Sequence, residues 1–189
     1  MPLVKCLCHV FGCYRYAYQK VLRKYINALK HPMPDLEKLC QLTPYLLVKS
    51  MRLKSAGVLV LNRGAGSYVV RSAEGDAHHL AGTSIKQDNP LFLALLKRKK
   101  ELLLRNTNDE ALTVQMRNLK GELFMPVISR LKYFTEPTLL GVVYLGQMIS
   151  GEQFSSKDIS FLFSLIKQAG PNLDTAFMHE EMRGKRDVG

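Results

Sequence analysis

The run TLLGVVYLG at 138–146 constrains this chain more than any other feature. Alternate side chains of a strand point to opposite faces, and here both alternations are apolar. Such a strand must lie in the middle of a sheet with a packed layer on each side. The preceding run ELFMPVIS at 122–129 supplies an antiparallel neighbour. Pro126 within it has no N–H to give a ladder, which places it at an edge or a bulge. Two further β-rich runs, AGVLVLN at 56–62 and SYVVRS at 67–72, flank RGAG, which reads as a hairpin turn. HHLAGTSI at 78–85 is a weaker strand or an extended loop, and ELLL at 101–104 a short strand.

The covering layers come from segments with a different period. YAYQKVLRKYINALKH at 16–31 carries Tyr18, Val21, Leu22, Tyr25, Ile26 and Leu29 on one helical stripe, with Lys and Arg opposite. After the breaker HPMP, a second helix puts Leu36, Leu39, Cys40, Leu46, Leu47 and Met51 on one side, with a kink expected at Pro44. Asn89 and Pro90 suit the start of a helix through PLFLALLKRKK. Another helix is expected around 109–119. The last begins at Ser155 or Ser156, with Asp158 in its first turn and a stripe through Ile159, Leu162, Phe163 and Ile166. Gly170-Pro171 is expected to bend it. The fold class is therefore α+β: an antiparallel sheet of five to six strands, with the N- and C-terminal helices on one face and variable helices and loops on the other. The expected division is a basic leader at 1–15, a linker helix at 16–31, one domain at 32–181 and a frayed tail at 182–189.

At 189 residues and 47% hydrophobic content the chain suits one globular domain with an appendage. Its formal charge of +11 is uneven, because residues 1–31 hold Lys5, Arg15, Lys20, Arg23, Lys24 and Lys30 with no acidic side chain. Such a leader fits a nucleic-acid arm, anionic lipid, or the cytoplasmic flank of a membrane helix. The nucleic-acid reading lacks a helix-turn-helix or a stacking-aromatic sheet, and the sequence argues against it. No run reaches the roughly 18–20 apolar residues that span a bilayer. With no signal-peptide pattern, the expected location is cytoplasmic, with the basic segment near the inner face of the membrane. Cys6, Cys8 and Cys13 crowd beside His9, but C-x-C-H-x3-C lacks the two separated pairs of a structural zinc site. Cys40 lies on an apolar helix face and reads as core. His78 and His79 have no third ligand nearby, so no metal is expected, and no cofactor is evident.

The residues GELFMPVISR at 121–130, LLGVVYLGQMISGEQFSSKDISFLFSLIKQAG at 139–170 and NLDTAFMHEE at 172–181 resemble the GAF domain, a small-molecule sensor module with a profilin-like, PAS-related sheet. The shared features are paired hydrophobic strands with a proline in the first, a Gly-x-hydrophobic-x-Leu-Gly strand, a Phe-x-x-x-Asp helix start and a final helix. The upstream YRYAYQKVLRKYINAL and PDLEKLCQL are similar to the linker and first helix of GAF regions in bacterial sensor histidine kinases. The resemblance implies a non-catalytic signalling domain, part or relative of such a kinase. It would bind an unidentified small molecule between the sheet and the variable segment 73–120.

Several family activities lack their residues here. Cyclic-nucleotide GAF domains carry an Asn-Lys pair before Phe-x-x-x-Asp and a Glu after it, where this chain has Gly146-Gln147 and Ile159. Bilin attachment and thiol reduction need a cysteine in the sensor core, and 41–189 contains none. MHEEMR at 178–183 lacks the proline of a phosphoacceptor box, and no glycine-rich ATP lid follows His179, so the chain is not expected to be an enzyme. Phe154, Asp158, Gly146 and Gly151 read as architecture: an apolar staple, a carboxylate at a helix dipole, and two sharp turns. Tyr68, Met116 and Met125 are the pocket-lining candidates, with filled core as the competing role. Val21, Leu22, Tyr25 and Leu29 are the candidate dimer face, giving a homodimer through the terminal helices and a kinase or other signalling partner. The alternative is a ligand-free interaction module, with Tyr133 and Phe134 in the long connection at 130–137 as a contact surface.

Overall fold

The computed structural model describes residues 36–129, 137–167 and 175. The helix expected at 16–31, the Cys6–Cys13 cluster, Tyr133, Phe134 and His179 lie outside the described residues. So do the bend expected at Gly170-Pro171 and the dimer face Val21, Leu22, Tyr25 and Leu29.

The chain forms helix α1 (Leu36–Met51), then strands β1 (Ser55–Asn62) and β2 (Ser67–Gly75). A 3-10 turn at His78–Leu80 leads to β3 (Ser84–Lys86), helix α2 (Pro90–Arg98) and β4 (Leu102–Leu103). A second 3-10 turn (Leu104–Asn106) precedes helix α3 (Glu110–Asn118), β5 (Leu123–Ile128) and β6 (Leu139–Leu145). Helix α4 starts at 156 and is described to 167.

The six strands form one antiparallel sheet in the order β3-β2-β1-β6-β5-β4. Strand β6 is central and buried along its whole length, as its two-sided apolar pattern requires. β4 pairs only Leu102 and Leu103 with Phe124 and Leu123, so β5 is an edge beyond that point. Pro126 sits on this edge segment, just before a register shift at Val127/Ile128, where its missing N–H breaks no ladder.

The register sorts the core onto two faces. Gly57 and Leu59 of β1 share a face with Tyr144 and Val142 of β6, and Phe124 of β5 lies opposite Tyr144. Leu61 extends this face to its partner Tyr68 on β2. Ala56, Val58, Val143, Leu145 and Met125 belong to the other face. Both sets are buried, so the sheet is the middle of three layers. Phe92 of α2 packs on Tyr68, with ring centroids 4.0 Å apart, which puts α2 on the first face. Helix α1 contacts β1 and β2 through a buried stripe of Leu39, Cys40, Leu47 and Met51.

Local signals set most element ends. The Asn89 side chain accepts a hydrogen bond from the Leu91 N–H at 3.0 Å, with Pro90 in the first turn, and Asp109 caps α3 through the Leu112 N–H at 3.1 Å. Lys97–Lys100 end α2 in solvent, Lys99 taking the left-handed conformation at φ 53°. Helix α1 runs through Pro44 to Met51, the span its apolar stripe predicts. One detail differs from the sequence expectation. The weak strand expected from 78 begins only at Ser84, because Ala77–Thr83 close turns through Leu80 N–H to Ala77 O and Thr83 N–H to Leu80 O.

Candidate functional site

The space between the sheet and the α2–α3 segment is filled by aromatic rings. Tyr68 and Phe92 pack at 4.0 Å, and Phe124 and Tyr144 stack at 5.7 Å with an interplanar angle of 21°. Two glycines make this packing possible. A Cβ on Gly57 would fall 2.4 Å from the Tyr144 ring, and one on Gly121 2.4 Å from the Phe124 ring. Leu91, Leu95 and Met116 close the layer from the helical side.

The two buried tyrosines differ in one respect. The Tyr68 hydroxyl reaches across the sheet and donates to Leu139 O at 2.8 Å, whereas the Tyr144 hydroxyl has no hydrogen-bond partner among the described residues. Burial pushes both phenols well above the usual tyrosine range, because the phenolate cannot be solvated there.

The pocket candidates Tyr68, Met116 and Met125 do not converge. Tyr68 lies on the α2 face, under Phe92. Met116 is buried on α3, its sulfur 3.9 Å from the Thr107 hydroxyl. Met125 pairs with Val143 and points to the opposite face from Phe124. Each is buried to 2% exposure or less.

The loop between β6 and α4 is built as a cap. Ser155 N–H and Oγ–H both donate to Asp158 Oδ2, at 2.9 and 2.6 Å, and Asp158 N–H donates back to Ser155 Oγ at 3.2 Å. This is a capping box with a carboxylate at its third position. Phe154 and Ile159, on either side of it, are both buried in the core, as a staple requires. Gly151 turns the chain at φ +75°, as expected. Gly146 does not serve as a turn: a Cβ there would lie 1.9 Å from Ser55 Oγ and 2.7 Å from Lys120 O, so close approach requires the glycine.

Arg105, which no sequence motif singled out, ties this loop to the 3-10 turn after β4. Its guanidinium donates from Nη1 to Gln153 Oε1 at 2.7 Å and from Nη2 to Phe154 O at 3.1 Å. Beside this bridge lies a cleft of about 370 Å³ whose walls include Thr113, Arg117, Glu122, Gln147 and Glu152. Among the described residues, no group of three or more His, Cys, Asp or Glu side chains is placed to hold a metal ion. Cys40 is buried on the inner side of α1. No described helix is long and apolar enough to cross a membrane.

No sequence-family model matches the chain, and no curated protein matches its sequence. Solved structures do match its fold. The GAF domain of a phosphoenolpyruvate-protein phosphotransferase from Coxiella burnetii is 18% identical, with a TM-score of 0.64 over 90% of this chain and 98% of that one. The phycoerythrobilin-bound GAF domain of a cyanobacterial phytochrome is 13% identical, with a TM-score of 0.62 over 85% and 96%. A free methionine-R-sulfoxide reductase from Neisseria meningitidis, solved with its substrate, is 13% identical, with a TM-score of 0.62 over 86% and 91%. The element order, the antiparallel sheet and these three likenesses agree: the chain has the GAF-domain fold.

Proposed function

We propose that this chain is a non-catalytic signalling domain that senses a small molecule and passes its state to helix α4. The observation that carries this reading is the Arg105 bridge, which links the variable segment on one side of the sheet to the loop that caps α4. A molecule that favours one position of that segment changes α4 by as much as its affinity differs between the two positions. The Coxiella domain, from a phosphotransferase, and the pigment-bound phytochrome domain support the reading as examples of the fold. The reductase shows that the fold also hosts an enzyme. Cys40, the one cysteine among the described residues, bears on that alternative, since it is buried on α1.

In this reading the domain works as a homodimer through the helix at 16–31, with Val21, Leu22, Tyr25 and Leu29 at its face. It belongs to, or descends from, a sensor histidine kinase held at the inner face of the membrane by the basic leader. A second reading is a ligand-free interaction module. It is favoured by the aromatic packing of Tyr68, Phe92, Phe124 and Tyr144, which fills the space beneath α2 and α3. A thermal-shift screen against a metabolite library separates the two. A saturable rise in Tm for one compound is the expected result; silence throughout favours the module.

A further inference from the structure

The cleft beside the Arg105 bridge is lined by side chains of both signs, two of which make no ion pair among the described residues. Arg105 is engaged with Gln153 and Phe154. By contrast, the Arg117 guanidinium and the Glu122 carboxylate line the same cleft and make no hydrogen bond or ion pair among the described residues. Both stand on rigid backbone. Arg117 is in the last turn of α3, where its C=O accepts from the Lys120 N–H at 2.9 Å. Glu122 is fixed at the start of β5 by its N–H to Leu145 O and by the Leu104 N–H to its own C=O, both 2.8 Å.

The chemistry of the walls selects a ligand class. An arginine fork matches a carboxylate in two parallel hydrogen bonds. Gln147 Oε1 accepts from the Lys54 ammonium at 2.6 Å, which leaves its amide N–H groups as the donors. Thr113 belongs to the same wall. A phosphate or dicarboxylate suits the arginine but is repelled by Glu122. A molecule with one carboxylate and one ammonium satisfies both signs at once. The volume of about 370 Å³ falls in the range of small-molecule sites.

We propose that this cleft binds a small zwitterion of the α-amino-acid type, its carboxylate on Arg117 and its ammonium on Glu122. Bound there, the ligand lies against Gln153 and Arg105, and so against the link to α4. This consequence rests on the sensor reading; the binding itself does not.

The test uses the full chain and the individual L-α-amino acids as probes at millimolar concentration, with acetate and methylammonium as half-ligands. Binding is read by calorimetry and thermal shift. At least one amino acid is expected to bind saturably while neither half-ligand does at the same concentration. Arg117→Ala and Glu122→Gln are each expected to weaken it by about tenfold or more, the size of a lost charged hydrogen bond. Arg117 is exposed and Glu122 half-buried, so both variants should keep the wild-type Tm without ligand. Silence across the amino acids overturns the proposal, as does binding that survives both substitutions or is matched by acetate alone. A silent amino-acid panel beside a hit in the wider metabolite screen removes this site and leaves the sensor reading standing.

Discussion

The face of the sheet beneath α2 and the cleft beside α3 are built from neighbouring parts of one chain and follow opposite rules. Under α2, aromatic rings lie directly over glycines, and every large side chain is buried. In the cleft, Arg117 is exposed and Glu122 half-buried, each on a hydrogen-bonded backbone and neither paired among the described residues. A ligand entering the first region must displace rings and open apolar surface before it gains a contact. One entering the second displaces only water. Similarity to pigment- and substrate-bound domains therefore does not carry their mode of binding to this chain, since side chains rather than the shared sheet decide where a molecule fits.

The sharpest break of that contrast is truncation in the closed region. Phe92→Ala removes the ring over Tyr68 and should cost about 3–5 kcal/mol, read from the denaturation midpoint. A loss near that of a surface substitution would show that the rings are loosely held and the face open to ligands. Gly57→Ala is next. Its Cβ would be 2.4 Å from the Tyr144 ring, so a cost of about 1–3 kcal/mol is expected. The double variant Gly57→Ala with Tyr144→Leu should recover part of it, a non-additivity that two independent sites would not give.

Arg105→Ala probes the boundary between the regions. Losing two hydrogen bonds from an exposed guanidinium should lower global stability by about 1 kcal/mol. It should also raise amide hydrogen exchange selectively over 156–167. Unchanged exchange in that helix would remove the bridge as a route of communication.

The smallest effects separate the two tyrosines. Tyr68→Phe strands the Leu139 carbonyl and should destabilise by about 1 kcal/mol, whereas Tyr144→Phe removes an unpartnered buried hydroxyl and should be neutral or stabilising by a similar amount. Both folded phenols titrate above the unfolded value of about 10, so the folded state holds the protons longer. Their contribution is intact below that pH and is lost as pH rises through it toward the folded values. Stability should fall in alkaline solution, and either Phe variant should flatten the fall.

Much of the frame was legible in the chain. The two-sided apolar run at 138–146 gave the central strand, Pro126 the edge, Asn89-Pro90 the start of α2, and Ser155 with Asp158 the start of α4. These are signals of period and capping, complete within a few residues. The cleft was not legible. Arg105 and Gln153 are 48 positions apart, and nothing local to either residue announces the other. Gly57 offered one clue, since a glycine inside a strand marks close approach of another group. It could not say that the group is Tyr144.

The sequence by itself determined the elements and their order, because apolar period, caps and breakers act on the chain over one or two turns of structure. Only the tertiary structure decided which side chains share a face. One residue of strand register reverses every orientation along the strand. That register placed Tyr144 over Gly57 and Phe124 beside Tyr144, turned Met125 away from Tyr68, and left the polar cleft at the end of the sheet.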